Sequence, residues 1–130
     1  MNNKLQKQLF SKYPKIFIQK DLSITESCMP WGIDTDNGWY WLIDNLCSQL
    51  QWDINKNEQP QIEASQVKEK YGSLNFYTSA STEKQQAMIT FAEFLSLSIC
   101  EICGSTKDVT QNKEGWIYTL CNDCRKSEKK

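Results

Sequence analysis

Cys100-Glu-Ile-Cys103-Gly104, answered further on by Cys121-Asn-Asp-Cys124, is the stretch that decides how the C-terminal part of this chain folds. The two Cys-x-x-Cys pairs stand 17 residues apart. Zinc takes four ligands at the corners of a tetrahedron, with each sulfur about 2.3 Å away. Two cysteines three positions apart reach one ion when the backbone makes a tight knuckle, and Gly104 supplies a bend without side-chain crowding. The intervening residues suffice for a β-hairpin that brings the second pair back to the first. The spacing therefore predicts one structural zinc on Cys100, Cys103, Cys121 and Cys124. With four thiolates bound, no position is left for a metal-bound water, which argues against a catalytic metal. A redox Cys-x-x-Cys is expected after a strand in a thioredoxin-like unit, and neither pair has that setting. Knuckle, hairpin and a second pair opening a short helix within 121–130 predict a treble-clef arrangement, with a zinc ribbon as its competitor. Zinc contributes on the order of 10 kcal/mol to folding such a segment.

Upstream, the sequence reads as an α+β body. Leu5, Leu9 and Tyr13, with Phe10 beside them, mark one helical face that ends at Pro14. Ile16-Phe17-Ile18 reads as a short extended piece, and 21–37 as irregular. Trp39, Leu42, Ile43, Leu46, Cys47 and Leu50 follow at helical spacing, with Asp36 or Asn37 as the cap. Asn55 to Pro60 reads as a loop. Gly72-Ser73 is predicted to turn a hairpin of the type that wants Gly first, setting Tyr71 against Leu74, Glu69 against Phe76 and Val67 against Thr78. Val67, Tyr71, Leu74 and Phe76 then share one face, and Lys68, Lys70, Asn75 and Tyr77 the other, with a bulge near Ser65. A long helix over about 82–99 is expected to bury Met88, Phe91, Ala92, Leu95 and Ile99, with Ala87 and Phe94 widening the stripe. Short strands are expected near 109–112 and 116–120.

Composition bounds the function. The 130 residues are 39% hydrophobic and 24% charged, as in an ordinary globular domain. No apolar run approaches the roughly 20 residues that span a bilayer. The N-terminus lacks the apolar core of a signal peptide, so the expectation is a cytoplasmic protein with no membrane partner, in which paired cysteines favour metal over disulfide. The chain contains no His, which removes Ser-His and Cys-His catalysis. Net charge is −1 but unevenly spread: residues 1–20 carry five lysines and no acid, and residues 21–60 carry seven acids and one lysine. Residues 100–130 hold six cations against five acids, too even a balance for a phosphate-binding finger, so nucleic acid is not the favoured partner.

Other candidate sites are weaker. Asp34-Thr-Asp36-Asn-Gly38 fails the calcium-loop count, with Gly at loop position 5 and Asn45 at position 12, and reads better as helix capping. Glu69 falls on an apolar hairpin face, where a tip reaching water is expected. An enzyme would have to rest on carboxylates such as Asp34, Asp36 and Asp44. Cys47 reads as a buried small hydrophobe and Cys28 as unactivated. Tyr40 and Trp41 cannot both share the face of Trp39. Tyr40, Trp41, Lys68, Lys70 and Tyr77 are therefore the candidate partner-binding residues, with a packed layer against the N-terminal helix as the plainer reading of the aromatics.

Trp31-Gly-Ile, Gly38-Trp39, Leu42-Ile-Asp, Leu46-Cys47, the run Gln66-Val-Lys-Glu-Lys-Tyr-Gly-Ser-Leu-Asn-Phe-Tyr77, Cys100-x-x-Cys-Gly and Gly115-Trp-Ile-x-Thr-Leu-Cys-x-x-Cys124 together resemble a family of small bacterial and phage-borne proteins with no established activity. The resemblance covers roughly 30–124. It implies no catalytic role, and implies a place in conflict between a mobile element and its host. The expectation is thus an α+β protein: a small antiparallel hairpin packed on two amphipathic helices over 1–99, closed by a four-cysteine zinc module over 100–130. The expected role is a non-enzymatic protein-interaction module, an inhibitor or regulator, with an immunity or anti-defence protein and a nucleic-acid-binding regulator as alternatives.

Overall fold

The computed structural model describes residues 1–128, so Lys129 and Lys130 of the basic tail lie outside the described residues. The first helix, α1 (Asn3–Lys12), starts where the Asn2 side chain accepts a hydrogen bond from the Leu5 N–H, and it buries Leu9. Tyr13 closes it, and the Tyr13 hydroxyl donates to Asp44 Oδ1 (2.6 Å) in the next helix. The stretch Ile16-Phe17-Ile18 is not extended. The Phe17 N–H donates to the Tyr13 carbonyl (3.1 Å) and a 3-10 turn covers Ile18–Asp21. A helical-type bend is what lets Ile16 and Phe17, adjacent in sequence, both be fully buried.

Helix α2 (Tyr40–Lys56) is entered through a 3-10 turn at Asn37–Trp39, and neither Asp36 nor Asn37 caps it with a side chain. The Asn37 Oδ1 instead accepts from the Asn2 N–H (2.9 Å), tying the α1 start to the α2 approach. Leu42, Ile43, Leu46, Cys47 and Leu50 are buried along α2, as the periodicity predicts. The helix continues through Lys56, into the segment expected to be loop. Buried Asp53 explains the extension: it accepts from Asn57 Nδ2 (2.7 Å) and Gln85 Nε2 (3.2 Å) and pairs with Lys84 (3.0 Å).

Strands β1 (Ala64–Lys70) and β2 (Ser73–Thr78) form an antiparallel hairpin with a register shift between Ala64 and Gln66, where the sequence places a bulge. The pairing differs from the predicted one by two residues: Lys70 faces Ser73, Glu69 faces Leu74 and Val67 faces Phe76. The turn is therefore Tyr71-Gly72, with both residues at positive φ (+53° and +82°), the combination that a type I′ turn requires. A two-residue slip preserves facing, so Val67, Leu74 and Phe76 are buried while Lys68, Lys70, Asn75 and Tyr77 stay together on the outer face. Tyr71 leaves the apolar face and is 76% exposed. The outer side of β1 bonds to Asp34, whose N–H donates to Val67 O and whose carbonyl accepts from Glu69 N–H. On the outer side of β2, Leu74 N–H donates to Ser96 Oγ (2.9 Å) and Phe76 N–H to Glu93 Oε2 (2.9 Å).

Those acceptors lie on α3 (Glu83–Ser96), which opens with a capping box between Thr82 and Gln85. Its buried face is Gln85, Ile89, Ala92 and Ser96, rotated from the predicted stripe. Met88 and Leu95 are half-buried, and Phe91 and Phe94 are 61% and 64% exposed. Two polar residues own the core side because each satisfies a buried partner: Gln85 serves Asp53, and Ser96 serves the Leu74 N–H. Strands β3 (Val109–Gln111) and β4 (Thr119–Cys121) pair antiparallel, and α4 (Asn122–Glu128) follows β4 directly. Most of the predicted 116–120 strand is loop.

Candidate functional site

The candidate metal centre, four cysteines positioned to hold a metal ion, is built from two local structures. After α3 the chain bends at Cys100–Gly104: the Gly104 N–H donates to Cys100 O (2.9 Å), the Cys100 N–H to Ser105 O (2.8 Å), and Gly104 sits at φ +81°. This knuckle presents Cys100 and Cys103. Cys121 ends β4 and Cys124 lies in the first turn of α4, so the second pair sits at a strand-to-helix junction. All four sulfurs lie within 4.8 Å of one another, and Cys103 Sγ is 3.7 Å from Cys121 Sγ. A tetrahedron with bonds of about 2.3 Å has edges of about 3.8 Å, so the donor spacing fits one ion. Backbone N–H groups already point at the sulfurs, from Ser105 to Cys103 Sγ and from Cys124 to Cys121 Sγ (both 3.4 Å).

Electrostatics agree with the geometry. Burial opposes ionisation of Cys100, but backbone N–H groups of Cys103, Cys121 and Ile102 outweigh it and bring its thiol down to about 7. Burial and the neighbouring sulfurs push Cys124 well up. Four thiolates this close repel one another unless a cation stands between them, which is what a divalent metal supplies. Around the sulfurs, Cys100, Leu120 and Cys121 form a small buried cluster, with Ile102 and Val109 packed against it, separate from the main core.

This module is fixed to the body at two places. The Gly38 N–H donates to Glu101 O (2.6 Å), so closely that a Cβ on Gly38 would stand 2.1 Å from Cys100 O. Glu101 Oε2 accepts from the Asp36 N–H (3.0 Å), and Trp39 Nε1–H donates to Ile99 O (2.9 Å). At the second place the Thr119 hydroxyl donates to Gly72 O in the hairpin turn (2.5 Å), while Gln111 Nε2 bonds Leu97 O (2.8 Å).

The other candidate residues divide. Tyr40 is half-buried, donates its hydroxyl to Gln8 Oε1 (3.0 Å) and lies under Lys12, so it belongs to the packed layer against α1. Trp41 is 66% exposed. It begins an apolar band that passes through a groove of about 220 Å³ between α2 and α3, lined by Leu46, Met88, Phe91 and Leu95 among others, and reaches Phe94. No charged residue lines that groove. Lys68, Lys70 and Tyr77 remain together on the outer hairpin face, but the sequence reading missed what stands beside them: Trp116, 71% exposed, in the loop between β3 and β4. Asp44 is occupied by Lys12 and Tyr13, and Asp34 and Asp36 sit on a different segment of the chain. Glu69 is half-buried and accepts from the Gly72 N–H (2.9 Å), bracing the turn. Cys47 is buried, with its thiol raised by burial, and Cys28 is exposed. Among the described residues, no helix is long and apolar enough to cross a membrane. No protein-family model, curated protein or solved structure matches the chain.

Proposed function

We propose that this chain is a non-enzymatic protein-interaction module, an inhibitor or regulator, stapled by one structural zinc in a treble-clef arrangement. The observation that carries the interaction is the apolar band of Trp41, Met88, Phe91, Phe94 and Leu95 across α2 and α3, whose central groove no charged residue lines. Trp41, Phe91 and Phe94 are exposed by 66%, 61% and 64%. With about 200 Å² per ring side chain, these three alone present roughly 400 Å². That matches the largest patch on a typical monomer, which usually has a binding role. At ~25 cal/mol per Å², covering it gives about 10 kcal/mol before the costs of association. A groove between two helices suits the apolar face of a partner's amphipathic helix. Zinc is the metal favoured by a closed set of four thiolates near tetrahedral spacing, and the strand-to-helix placement of Cys121 and Cys124 favours the treble clef over the ribbon.

Affinity capture from host lysate tests the interaction, comparing the wild type with Trp41→Glu/Phe91→Glu at unchanged circular dichroism and metal content. A retained protein that the double variant loses supports the reading. Equal retention by both, or no retained protein, refutes it. A wild-type dimer that the double variant turns into a monomer assigns the band to a second copy instead. Elemental analysis well below one zinc per chain refutes the metal.

A further inference from the structure

The hairpin turn and the loop between β3 and β4 enclose a cavity of about 510 Å³, lined by Lys68, Glu69, Lys70, Tyr71, Trp116 and Ile117 along with Gly115. Its size is that of a ligand site. Two of its walls are aromatic side chains that no packing need accounts for: Tyr71 is 76% exposed and Trp116 71%. Two cations, Lys68 and Lys70, share the lining, and the Lys70 ammonium lies 5.8 Å from the centre of the Tyr71 ring. Among the described residues, neither Lys68 nor Lys70 has a carboxylate within ion-pair distance. The one acid in the lining, Glu69, is engaged by the Gly72 N–H. Tyr77 (42% exposed) shares the outer hairpin face with Lys68 and Lys70, and Tyr118 (48%) is a further exposed aromatic two positions after Trp116.

We infer that this cleft binds a short segment of single-stranded nucleic acid, with bases stacked on Trp116 and Tyr71 and phosphates held by Lys68 and Lys70. Every base offers a flat π face, so stacking platforms interleaved with lysines recognise a strand whatever its sequence. A duplex keeps its bases paired and stacked away from such platforms, and the near-neutral metal module supplies no broad basic surface for it. The walls are pre-set. Thr119 ties the 115–119 loop to the turn through Gly72 O, and a Cβ on Gly72 would stand 2.9 Å from Ile117 Cγ2, so turn and loop are in direct contact. The site is separate from the apolar band on α2 and α3 and does not depend on it.

The test is fluorescence anisotropy of a labelled ten-residue oligothymidylate, with the metal-loaded full chain, across a salt series. Two phosphate contacts on a single strand give a slope of about −1.4 in log K against log salt, a loss of roughly sevenfold between 50 and 200 mM. Trp116→Ala weakens binding about tenfold by removing one stacking platform, and Lys68→Glu/Lys70→Glu flattens the salt slope. Trp116 is exposed in a loop, so this substitution leaves the fold intact. Trp41→Glu leaves oligonucleotide binding unchanged, which separates this site from the interaction surface proposed above. The inference is overturned by any of four results: no binding at 50 mM salt, binding indifferent to Trp116→Ala, thymidine monophosphate bound as tightly as the oligomer, or an acidic tyrosine-containing peptide bound more tightly than the oligomer.

Discussion

Substituting Gly38 by alanine is the sharpest test of how the metal module is held to the body. The new Cβ would stand 2.1 Å from Cys100 O and 2.5 Å from the carbonyl of Glu101, where ordinary contact begins near 3.4 Å. All of these neighbours are backbone, so no side chain can swing aside and the knuckle must retreat by about 1 Å. The retreat breaks the 2.6 Å bond from Gly38 N–H to Glu101 O, at about 1 kcal/mol. The misfit adds about 1–3 kcal/mol, as overpacked sites do. The expected loss is therefore about 2–4 kcal/mol. With a urea dependence near 2 kcal/mol per M, the midpoint falls by roughly 1–2 M. Urea titration of the metal-loaded protein, read by tryptophan fluorescence, measures it. Metal content should stay unchanged, because the four ligands come from the knuckle and the β4–α4 junction. A loss below about 0.5 kcal/mol would refute the close packing of knuckle against body.

Three further outcomes follow from the same geometry. Tyr71→Asn suits the positive φ of the turn better than a bulky residue does, so it should raise stability by about 1 kcal/mol in urea titration while weakening oligonucleotide binding; a variant that is both less stable and equally good at binding contradicts both assignments. Lys84 and Asn57 hold the Asp53 carboxyl below its usual value of 3.8. A depressed acid stabilises the fold above its unfolded pKa, and that contribution is lost as pH falls through the lower folded value. The urea-midpoint advantage of wild type over Asp53→Asn should thus be full at pH 6 and shrink below about pH 4, with metal release common to both proteins; an advantage that grows with acid would refute the pairing. Stripping the metal with a tight chelator should lower near-ultraviolet dichroism and release the 115–119 loop, abolishing oligonucleotide binding while α2 and α3 persist by far-ultraviolet dichroism.

The four cysteines were legible because their chemistry is local: spacing alone restricts what two Cys-x-x-Cys pairs can do. The hairpin's two faces were legible for a related reason, since an error of two residues in register leaves every side chain that remains in a strand on its own side, and only Tyr71 passes from the apolar face into the turn. The turn was not legible. It needs tyrosine at positive φ, supported by the Glu69 carboxylate nearby and by Thr119 from 47 positions away. The inward face of α3 was misread because Phe91 and Phe94 are the more apolar residues. Gln85 and Ser96 win the core through partners on α2 and β2, and periodicity carries no trace of those partners. Trp116 read as one more strand residue, and only the folded chain sets it beside Tyr71.

Hydrogen bonds along the outer sides of the hairpin have a consequence for how the protein behaves at high concentration. A lone two-stranded ribbon normally offers two open edges that invite strand addition and fibril growth. Here Asp34 occupies one edge, and Ser96 and Glu93 act as a side-chain substitute for a third strand on the other. These are gatekeepers against aggregation. Replacing Ser96 and Glu93 together by alanine would unmask the Leu-Asn-Phe-Tyr segment at 74–77, a short stretch rich in strand-forming residues and free of charge. A small domain that keeps several aromatic side chains on its surface can stay dispersed because the backbone beneath them is already spoken for.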